Sequence, residues 1–379
     1  MKILILQGSP RPKGNTAALT EEFRSYMEEH GHECTEVRLY GLDIHPCIAC
    51  RKCQKDWEHP SCAWQDDLTP ILDQILECDL LVLATPIYSW FCTAPMKAAV
   101  DRMVYALNKI YGAEKGPCLW AGKTIALIST CGYKEKFGTE LWEEGIKRDC
   151  KHSGLKYGGL LAERHKNYNL PFMDEEKRQH TRDFAKKLIR QSVRSRGIKA
   201  RDRLNGEERE KLSEEICRKI AASEFFLKAQ TIMIYKAVRG EVQLTALEHA
   251  IEAAGKTAVY PLCVGEGKMA ALHPRSENSW ETGHYGIQEP NPEKSVEIRP
   301  EDIDLIICPC TAFDVQGNRL GMGAGYYDRF LPFCTKAHVI AAGFEEQKVE
   351  AIPVDEWDQP MEAVFTETNV IGKIKFLLR

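Results

Sequence analysis

The stretch Asn318–Arg329, NRLGMGAGYYDR, places glycines at 321, 323 and 325 in a loop that closes on Tyr-Tyr-Asp-Arg. Glycine tolerates positive φ and close backbone approach, so successive N–H groups in such a loop can converge on a polyphosphate while Arg319 and Arg329 supply charge. Asp328 adds a hard oxygen donor of the kind that suits Mg²⁺. A second loop of phosphate-binding type, GSPRPKGNT from Gly8 to Thr16, stands near the other end of the chain. It leaves an apolar run and opens a helix. Backbone N–H groups, the side chains of Ser9, Asn15 and Thr16 and the helix dipole can therefore face one monoester phosphate, with Arg11 to neutralise it. Its spacing is neither G-x-G-x-x-G nor G-x-x-x-x-G-K-[ST]. Read blandly, it is a polar turn with a helix cap at Asn15. Against that, the next apolar run ends in Thr85-Pro86-Ile87-Tyr88-Ser89-Trp90, where Tyr88 and Trp90 can stack on a flat ring.

The cysteines form a third constellation. Ten of the 15 fall within the first 150 residues, and Cys47, Cys50, Cys53 and Cys62 crowd one segment. In a reducing compartment such a group binds metal or does redox work rather than forming disulfides.

The elements that must position these loops follow from periodicity. Apolar runs Lys2–Gln7, Asp79–Thr85 and Thr124–Thr130 alternate with helical patterns Thr16–His30 and Pro95–Leu107. That rhythm implies a parallel sheet covered on both faces, with ligand loops at the carboxyl ends of its strands. Asp174–Arg203 is highly charged and reads as two helices, one closing the first domain and one opening the second. Beyond it come a helix at Gly206–Ser223, a strand at Thr231–Tyr235, a helix at Leu244–Ala254, a strand at Thr257–Leu262, an irregular stretch His273–Pro300 and a strand at Ile303–Cys308. The glycine loop follows that last strand.

Length and composition agree. At 379 residues the chain fits two domains, each of roughly 150–200 residues. Its net charge of −4 gives no electrostatic case for nucleic acid or an anionic membrane. No apolar run approaches a membrane span, and MKILILQGSP reads as a strand and turn rather than a signal peptide, so a cytoplasmic protein is expected.

The two N-terminal loops resemble those of the flavodoxin-like family of NADPH-dependent FMN reductases and iron–sulfur flavoproteins, over residues 1–185. The resemblance implies FMN, its phosphate held by Ser9, Arg11, Asn15 and Thr16 and its ring met by Pro86, Ile87, Tyr88 and Ser89, with Ser129–Gly132 as a third contact. It also implies NAD(P)H or a ferredoxin as electron partner, and a homodimer. Cys47, Cys50, Cys53 and Cys62 resemble the cysteine motif that ligates a [4Fe–4S] centre in iron–sulfur flavoproteins. Eight residues separate Cys53 from Cys62, a wider gap than that motif has, and free thiols or a zinc site are the alternatives.

The C-terminal half, residues 186–379, resembles 5-formyltetrahydrofolate cyclo-ligase through several blocks in order: Arg194 before Glu207-Glu208-Arg209, Tyr235–Glu241, Gly286–Pro290, the glycine loop, Trp357-Asp358 and Thr366-Glu367. The family reaction uses ATP to phosphorylate the formyl oxygen of 5-formyltetrahydrofolate. The N10 nitrogen attacks, phosphate leaves, and 5,10-methenyltetrahydrofolate remains. By this resemblance Arg190, Arg194, Arg319, Leu320, Gly321, Met322, Gly323, Ala324, Gly325, Tyr326 and Tyr327 form the ATP site. Asp328 and Asp358 bind Mg²⁺, and Lys236 and Glu241 hold the folate. Glu241, Arg194 and Tyr326 make up the catalytic set. Arg190 stands where the family often has lysine; a shifted register would pair Lys186 with Arg190 instead. His284 and Tyr285 are further candidates for the folate pocket, Asp314 is expected to cap a turn, and Trp280 to be packing.

The expected fold class is α/β: a flavodoxin-like doubly wound parallel sheet followed by a second α/β cyclo-ligase domain. The expected protein is bifunctional, the alternative being a cyclo-ligase with a flavin-binding or sensing module that does not turn over.

Overall fold

The computed structural model describes residues 1–372 apart from 168, 284, 285 and 287. The chain forms two compact units, Met1–Leu188 and Ile189–Arg379. In the first, β1 (Lys2–Gln7), α1 (Asn15–Glu29), β2 (Glu33–Arg38), α2 (Thr69–Glu77), β3 (Leu80–Pro86), α3 (Ala94–Leu107), β4 (Thr124–Cys131), α4 (Glu135–Gly138), α5 (Glu140–His152) and β5 (Lys156–Arg164) alternate. The strands pair in parallel in the order β2-β1-β3-β4-β5. All seven residues of β3 are buried, as a strand covered on both faces requires. The order reverses between β1 and β3. A crevice therefore opens at their carboxyl ends, where the loops after these two strands diverge.

The charged segment expected to hold two helices is a single one, α6 (Glu175–Asp202). Nothing in it forces a break. Asp174 accepts the Lys177 N–H at 2.9 Å, Glu175 and Glu176 sit in the first turn, and Lys199 and Arg201 in the last, so both ends complement the helix dipole. Its interior glycine, Gly197, costs about 1 kcal/mol of helix propensity. The need for glycine is steric: a Cβ there would stand 1.8 Å from the Thr311 carbonyl oxygen.

The second unit continues with α7 (Gly206–Ala221), α8 (Glu224–Lys228), β6 (Thr231–Met233), α9 (Thr245–Ala253), β7 (Thr257–Gly265) and β8 (Lys268–Pro274). Then come β9 (Trp280–Thr282), β10 (Gln288–Pro290), β11 (Ser295–Ile298), β12 (Leu305–Pro309), β13 (Ala312–Phe313), β14 (Arg319–Leu320), α10 (Tyr326–Phe330), β15 (His338–Ala342), β16 (Ala363–Phe365) and β17 (Val370–Gly372). The main sheet runs β11-β8-β7-β6-β12-β15-β16-β17. Its five central strands are parallel and its edges antiparallel. The stretch 273–300 is therefore less irregular than its composition suggests. Its strands are only three or four residues long, too short to show a period, and the turns between them are held by side-chain caps at Ser276 and Asn291. Strand β6 also stops two residues before Tyr235, the chain leaving the ladder at buried Ile234. Here too the order reverses, between β6 and β12. The loops after those strands are 234–244 and 310–325, the two segments singled out by sequence. No helix among the described residues is long and apolar enough to cross a membrane.

Candidate functional site

Positions 190, 194, 197 and 201 are spaced 4, 3 and 4 apart, so they share one face of α6. Arg190 bonds Asp358 through both terminal nitrogens, at 2.5 and 2.9 Å, and reaches Asp355 at 2.9 Å. Burial pushes the Asp358 carboxyl up, but the Arg190 bond and the Asp355 N–H outweigh it and leave it below the ordinary carboxylate range. Arg194 donates Nε–H to the Gly321 carbonyl at 2.9 Å and lies against Gly323. Burial, and after it the neighbouring Arg190, lower the Arg194 pKa against the opposing pull of Asp358, Asp328 and Asp355. At Gly197 the bare Cα lets this face approach the backbone that leads into the glycine loop.

That loop is built on the β13–β14 hairpin, in which buried Leu320 pairs with Ala312. Gly323 and Gly325 adopt φ of 105° and 66°, conformations that exclude most side chains. Arg319 is nearly enclosed; it reaches Asp328 at 3.2 Å and stacks over the Tyr327 ring at 5.4 Å, while its Nε has no partner. The Tyr327 hydroxyl is buried and also without a partner. Tyr326 donates to the Gly265 carbonyl at 3.4 Å, and Met322 and Ala324 face solvent. Arg329 braces the loop by bonding the Gly267 and Ala324 carbonyls. Asp314 caps its turn, accepting the Gln316 and Asn318 N–H groups at 3.0 and 2.9 Å.

Loop 234–244 forms the wall of a cavity of about 910 Å³ open volume, lined by Lys236, Glu241, Arg209, Thr245, Glu248 and Gln288 among others. Arg239 and Gly240 take φ of 48° and 80°, turning the chain so that Glu241 accepts the Val238 N–H at 3.1 Å. Burial raises the Glu241 pKa; the Val238 N–H, Arg201 and Arg239 oppose that rise. Lys236 pairs with Glu248 at 2.5 Å and lies over the rings of Trp280 and Tyr260, at 4.7 and 5.1 Å. Trp280, expected to be packing alone, thus also caps a cation. His284 and Tyr285 lie outside the described residues.

In the first unit the three expected loops meet at the carboxyl edge of the sheet. Thr93 bonds the Gly8 carbonyl at 2.7 Å, Thr16 bonds Thr130 at 2.8 Å, and Ile87 donates to the Thr130 carbonyl at 2.8 Å. Helix α1 has no side-chain cap and no acidic residue in its first turn, so its leading N–H groups remain available to an anion. Ser9 and Thr16 are buried and Arg11 is exposed. Asn15 contacts His165 at 3.3 Å. A Cβ on Gly14 would fall 2.8 Å from the Arg11 side chain, so the cradle depends on glycine. Beyond Pro86, Ser89 and Trp90 take φ of 50° and 68° in a tight turn closed by Tyr88 and Phe91. Tyr88 stays half exposed, and Trp90 stacks on Tyr133 at 5.4 Å. Tyr133 carries no spacing signal in the sequence. These donors and aromatic faces fit FMN.

Cys47, Cys50, Cys53 and Cys62 all line one narrow recess. The wide gap before Cys62 is absorbed by a turn in which Asp56 accepts the Glu58 and His59 N–H groups and Ser61 bonds the Cys53 carbonyl. Two buried cations stand beside it. Lys109 donates to the Cys53 carbonyl at 2.9 Å, and Arg102 pairs with Asp66 while its Nε and Nη2 have no partner. Arg102 faces Cys62 as well as Asp66, and Lys109 faces Cys53 as well as Asp56, so a cation stands by two of the four thiols. Among the described residues no three His, Cys, Asp or Glu side chains are close enough to hold a single metal ion. A cubane cluster spreads its thiolates more widely than one ion does, so four cysteines on one recess fit it in kind. Asp328 and Asp358 match in kind the one or two carboxylates that Mg²⁺ takes besides nucleotide phosphates, with both Asp358 oxygens bonded to Arg190 in this structure.

Comparison with known proteins separates the two halves. Residues 184–367 match the 5-formyltetrahydrofolate cyclo-ligase family, and residues 1–138 match the NADPH-dependent FMN reductases. The Escherichia coli K12 cyclo-ligase is 29% identical over 173 residues, 44% of this chain and 94% of its own length. That of Haemophilus influenzae is 30% identical over 138 residues, 35% of this chain and 74% of its own length. An iron–sulfur flavoprotein of Methanocaldococcus jannaschii is 35% identical over 102 residues, 27% of this chain; the chain thus spans about half, 51%, of that relative. The arginine face of α6, the glycine loop and the Glu241 cavity all lie within the first match, and the chain belongs through that half to the 5-formyltetrahydrofolate cyclo-ligase family, fused behind a domain of the FMN reductase type.

Proposed function

We propose that residues 186–379 convert 5-formyltetrahydrofolate to 5,10-methenyltetrahydrofolate at the expense of ATP, and that residues 1–185 bind FMN and exchange electrons with NAD(P)H or a ferredoxin. The observation that carries the ligase reading is the reversal of strand order between β6 and β12, which sets the Glu241 loop and the glycine loop side by side at one sheet edge. The folate enters the cavity, where ionised Glu241 accepts hydrogen bonds from pterin N–H groups and Lys236 faces a polar substituent. Leu320–Gly325 and the Tyr326 and Tyr327 N–H groups cradle the ATP phosphates. Arg190, Arg194 and Arg319 neutralise the charge that spreads over the transferring phosphoryl group. Asp328 and Asp358 hold Mg²⁺, which supplies further neutralisation when bound. The formyl oxygen takes the γ-phosphoryl group, N10 forms the new C–N bond and gives up its proton to the departing phosphate, which carries the formyl oxygen away; ADP is the other product. Positioning and charge carry the catalysis, and no covalent enzyme intermediate is required.

In the flavin half, Ser9, Arg11, Asn15 and Thr16 hold the FMN phosphate, and Pro86, Ile87, Tyr88 and Ser89 meet the ring. Cys47, Cys50, Cys53 and Cys62 hold a [4Fe–4S] cluster supplying one-electron chemistry. Omitting ATP, Mg²⁺ or folate should each abolish the methenyl product, and an anaerobic spectrum should show flavin bands with a broad iron–sulfur shoulder. Product formed without ATP would overturn the ligase reading; a colourless chain that refuses added FMN would overturn the other.

A further inference from the structure

Arg201, at the C-terminal end of the arginine face of α6, is fully buried, and its Nε, Nη1 and Nη2 have no hydrogen-bond partner. A guanidinium without bonds in the interior costs several kcal/mol, so it demands an explanation. One carboxylate is in reach: Glu241 Oε1, 3.9 Å from Nη1. That distance is too long for a hydrogen bond and short enough for strong Coulomb attraction. The second oxygen of Glu241 is held by Val238 N–H, so the carboxylate is tethered on one side and free to swing on the other.

We infer that Arg201 is a positioning residue for folate recognition, holding the Glu241 carboxylate ionised and drawing it into a charge-assisted hydrogen bond when substrate fills the cavity. The inference rests on Glu241 being the carboxylate that grips folate. Arg201 lies behind that side chain and does not line the cavity. Substrate N–H groups engaging Glu241 from the open side need a carboxylate that stays charged although it is nearly enclosed, and burial acts against that. A buried cation behind it is the physical remedy. Other charged and titratable groups surround the position: Arg239 on its own loop, Asp202 and Arg209 against Gly240, and Tyr235, Tyr327 and Cys310 towards the glycine loop. Arg239 and Arg209 line the open cavity, where screening weakens them. Arg201 is the enclosed cation.

The test is the pH dependence of kcat/KM for 5-formyltetrahydrofolate in wild type, Arg201→Lys, Arg201→Gln, Glu241→Gln and the Arg201→Gln/Glu241→Gln pair. Arg201→Gln should raise KM for the folate roughly 10- to 100-fold near neutral pH, while kcat at saturation changes by less than about threefold. Its acid limb should move up by about one pH unit, because binding needs the ionised carboxylate and is lost as pH falls through a pKa that the missing cation no longer holds down. Arg201→Lys should restore much of the limb. In the Glu241→Gln background, Arg201→Gln should add little to KM. An unmoved acid limb, or additive losses in the double variant, would overturn the positioning role and leave Arg201 a structural residue. A folate KM unchanged in Glu241→Gln would instead overturn the assignment of Glu241 itself. If Arg201→Gln fails to fold, Arg201→Lys decides through the same cycle: its loss in folate KM should vanish in the Glu241→Gln background, and an equal loss in both backgrounds would overturn the role.

Discussion

Gly197→Ala sets helix propensity against packing, and the structure says which wins. In an isolated helix alanine is better than glycine by about 0.8–1.0 kcal/mol, so the substitution should stabilise α6. In the fold, the new Cβ would stand 1.8 Å from the Thr311 carbonyl oxygen and 2.9 Å from its carbonyl carbon. Both atoms are backbone, so no rotamer change relieves the contact, and α6 must withdraw by more than about 1 Å to restore van der Waals distance. Overpacking of this kind costs typically 1–3 kcal/mol and occasionally more. A contact this short sits at the upper end of that range, so after the propensity gain of about 1 kcal/mol the net effect is destabilisation of the second unit by roughly 2 kcal/mol, a fall in Tm of about 4–8 °C for a domain of this size. The withdrawal also pulls Arg194 from the Gly321 carbonyl, which it now bonds at 2.9 Å, so KM for ATP should rise with the loss of stability. Calorimetry with and without ATP, together with ATP saturation curves, reads both. An unchanged or raised Tm with an unchanged KM for ATP would mean that helix propensity, not the Thr311 contact, decides the outcome.

Further outcomes follow from the same geometry. Asp358→Asn leaves Arg190 facing Asp355 alone and should raise the Mg²⁺ concentration needed for half-maximal ligase rate at least several-fold, read by Mg²⁺ titration. Because Arg190 holds the folded Asp358 pKa below its unfolded value, the pair contributes stability above the ordinary carboxylate range and loses it as pH falls through the lowered pKa. Acid unfolding of wild type should therefore set in at a pH where Asp358→Asn shows no matching loss. Arg102→Met removes one of the two cations beside the cysteine recess and should lower iron retention or shift the cluster midpoint potential to more negative values, measured by iron analysis and an anaerobic redox titration. Substituting Gly14 by valine should fill the cradle beside Arg11 and weaken FMN binding at least tenfold in a fluorescence titration, with the ligase rate unchanged.

Much of the candidate site's local structure is legible because its signals are local. A glycine run ending in Tyr-Tyr-Asp and an apolar run feeding Gly8–Thr16 announce loop and helix start without tertiary knowledge. Arg190 and Arg194 were accessible through motif resemblance, although the single helix bearing them was not. A segment with this charge density and one internal glycine looks like a junction, and only the 1.8 Å approach to Thr311 explains the glycine. Arg201 was illegible for the same reason: in sequence it is one more basic residue near a helix end, and only the fold encloses it behind Glu241. Cys62 is grouped with the other three cysteines in sequence despite its eight-residue gap; what the sequence does not show is the Asp56 turn that absorbs the gap, which depends on a side-chain cap. Asp355 joined Asp358 through its own contact to Arg190, which no motif marks.

The central claim is that ATP activates the formyl oxygen and that this oxygen leaves as phosphate. It is tested most directly by supplying 5-formyltetrahydrofolate labelled with ¹⁸O in the formyl group and analysing the released phosphate by mass spectrometry. One labelled oxygen is expected in each inorganic phosphate, formed with equal amounts of ADP and methenyl product. Unlabelled phosphate accompanying methenyl product, with the label released to water, would contradict it.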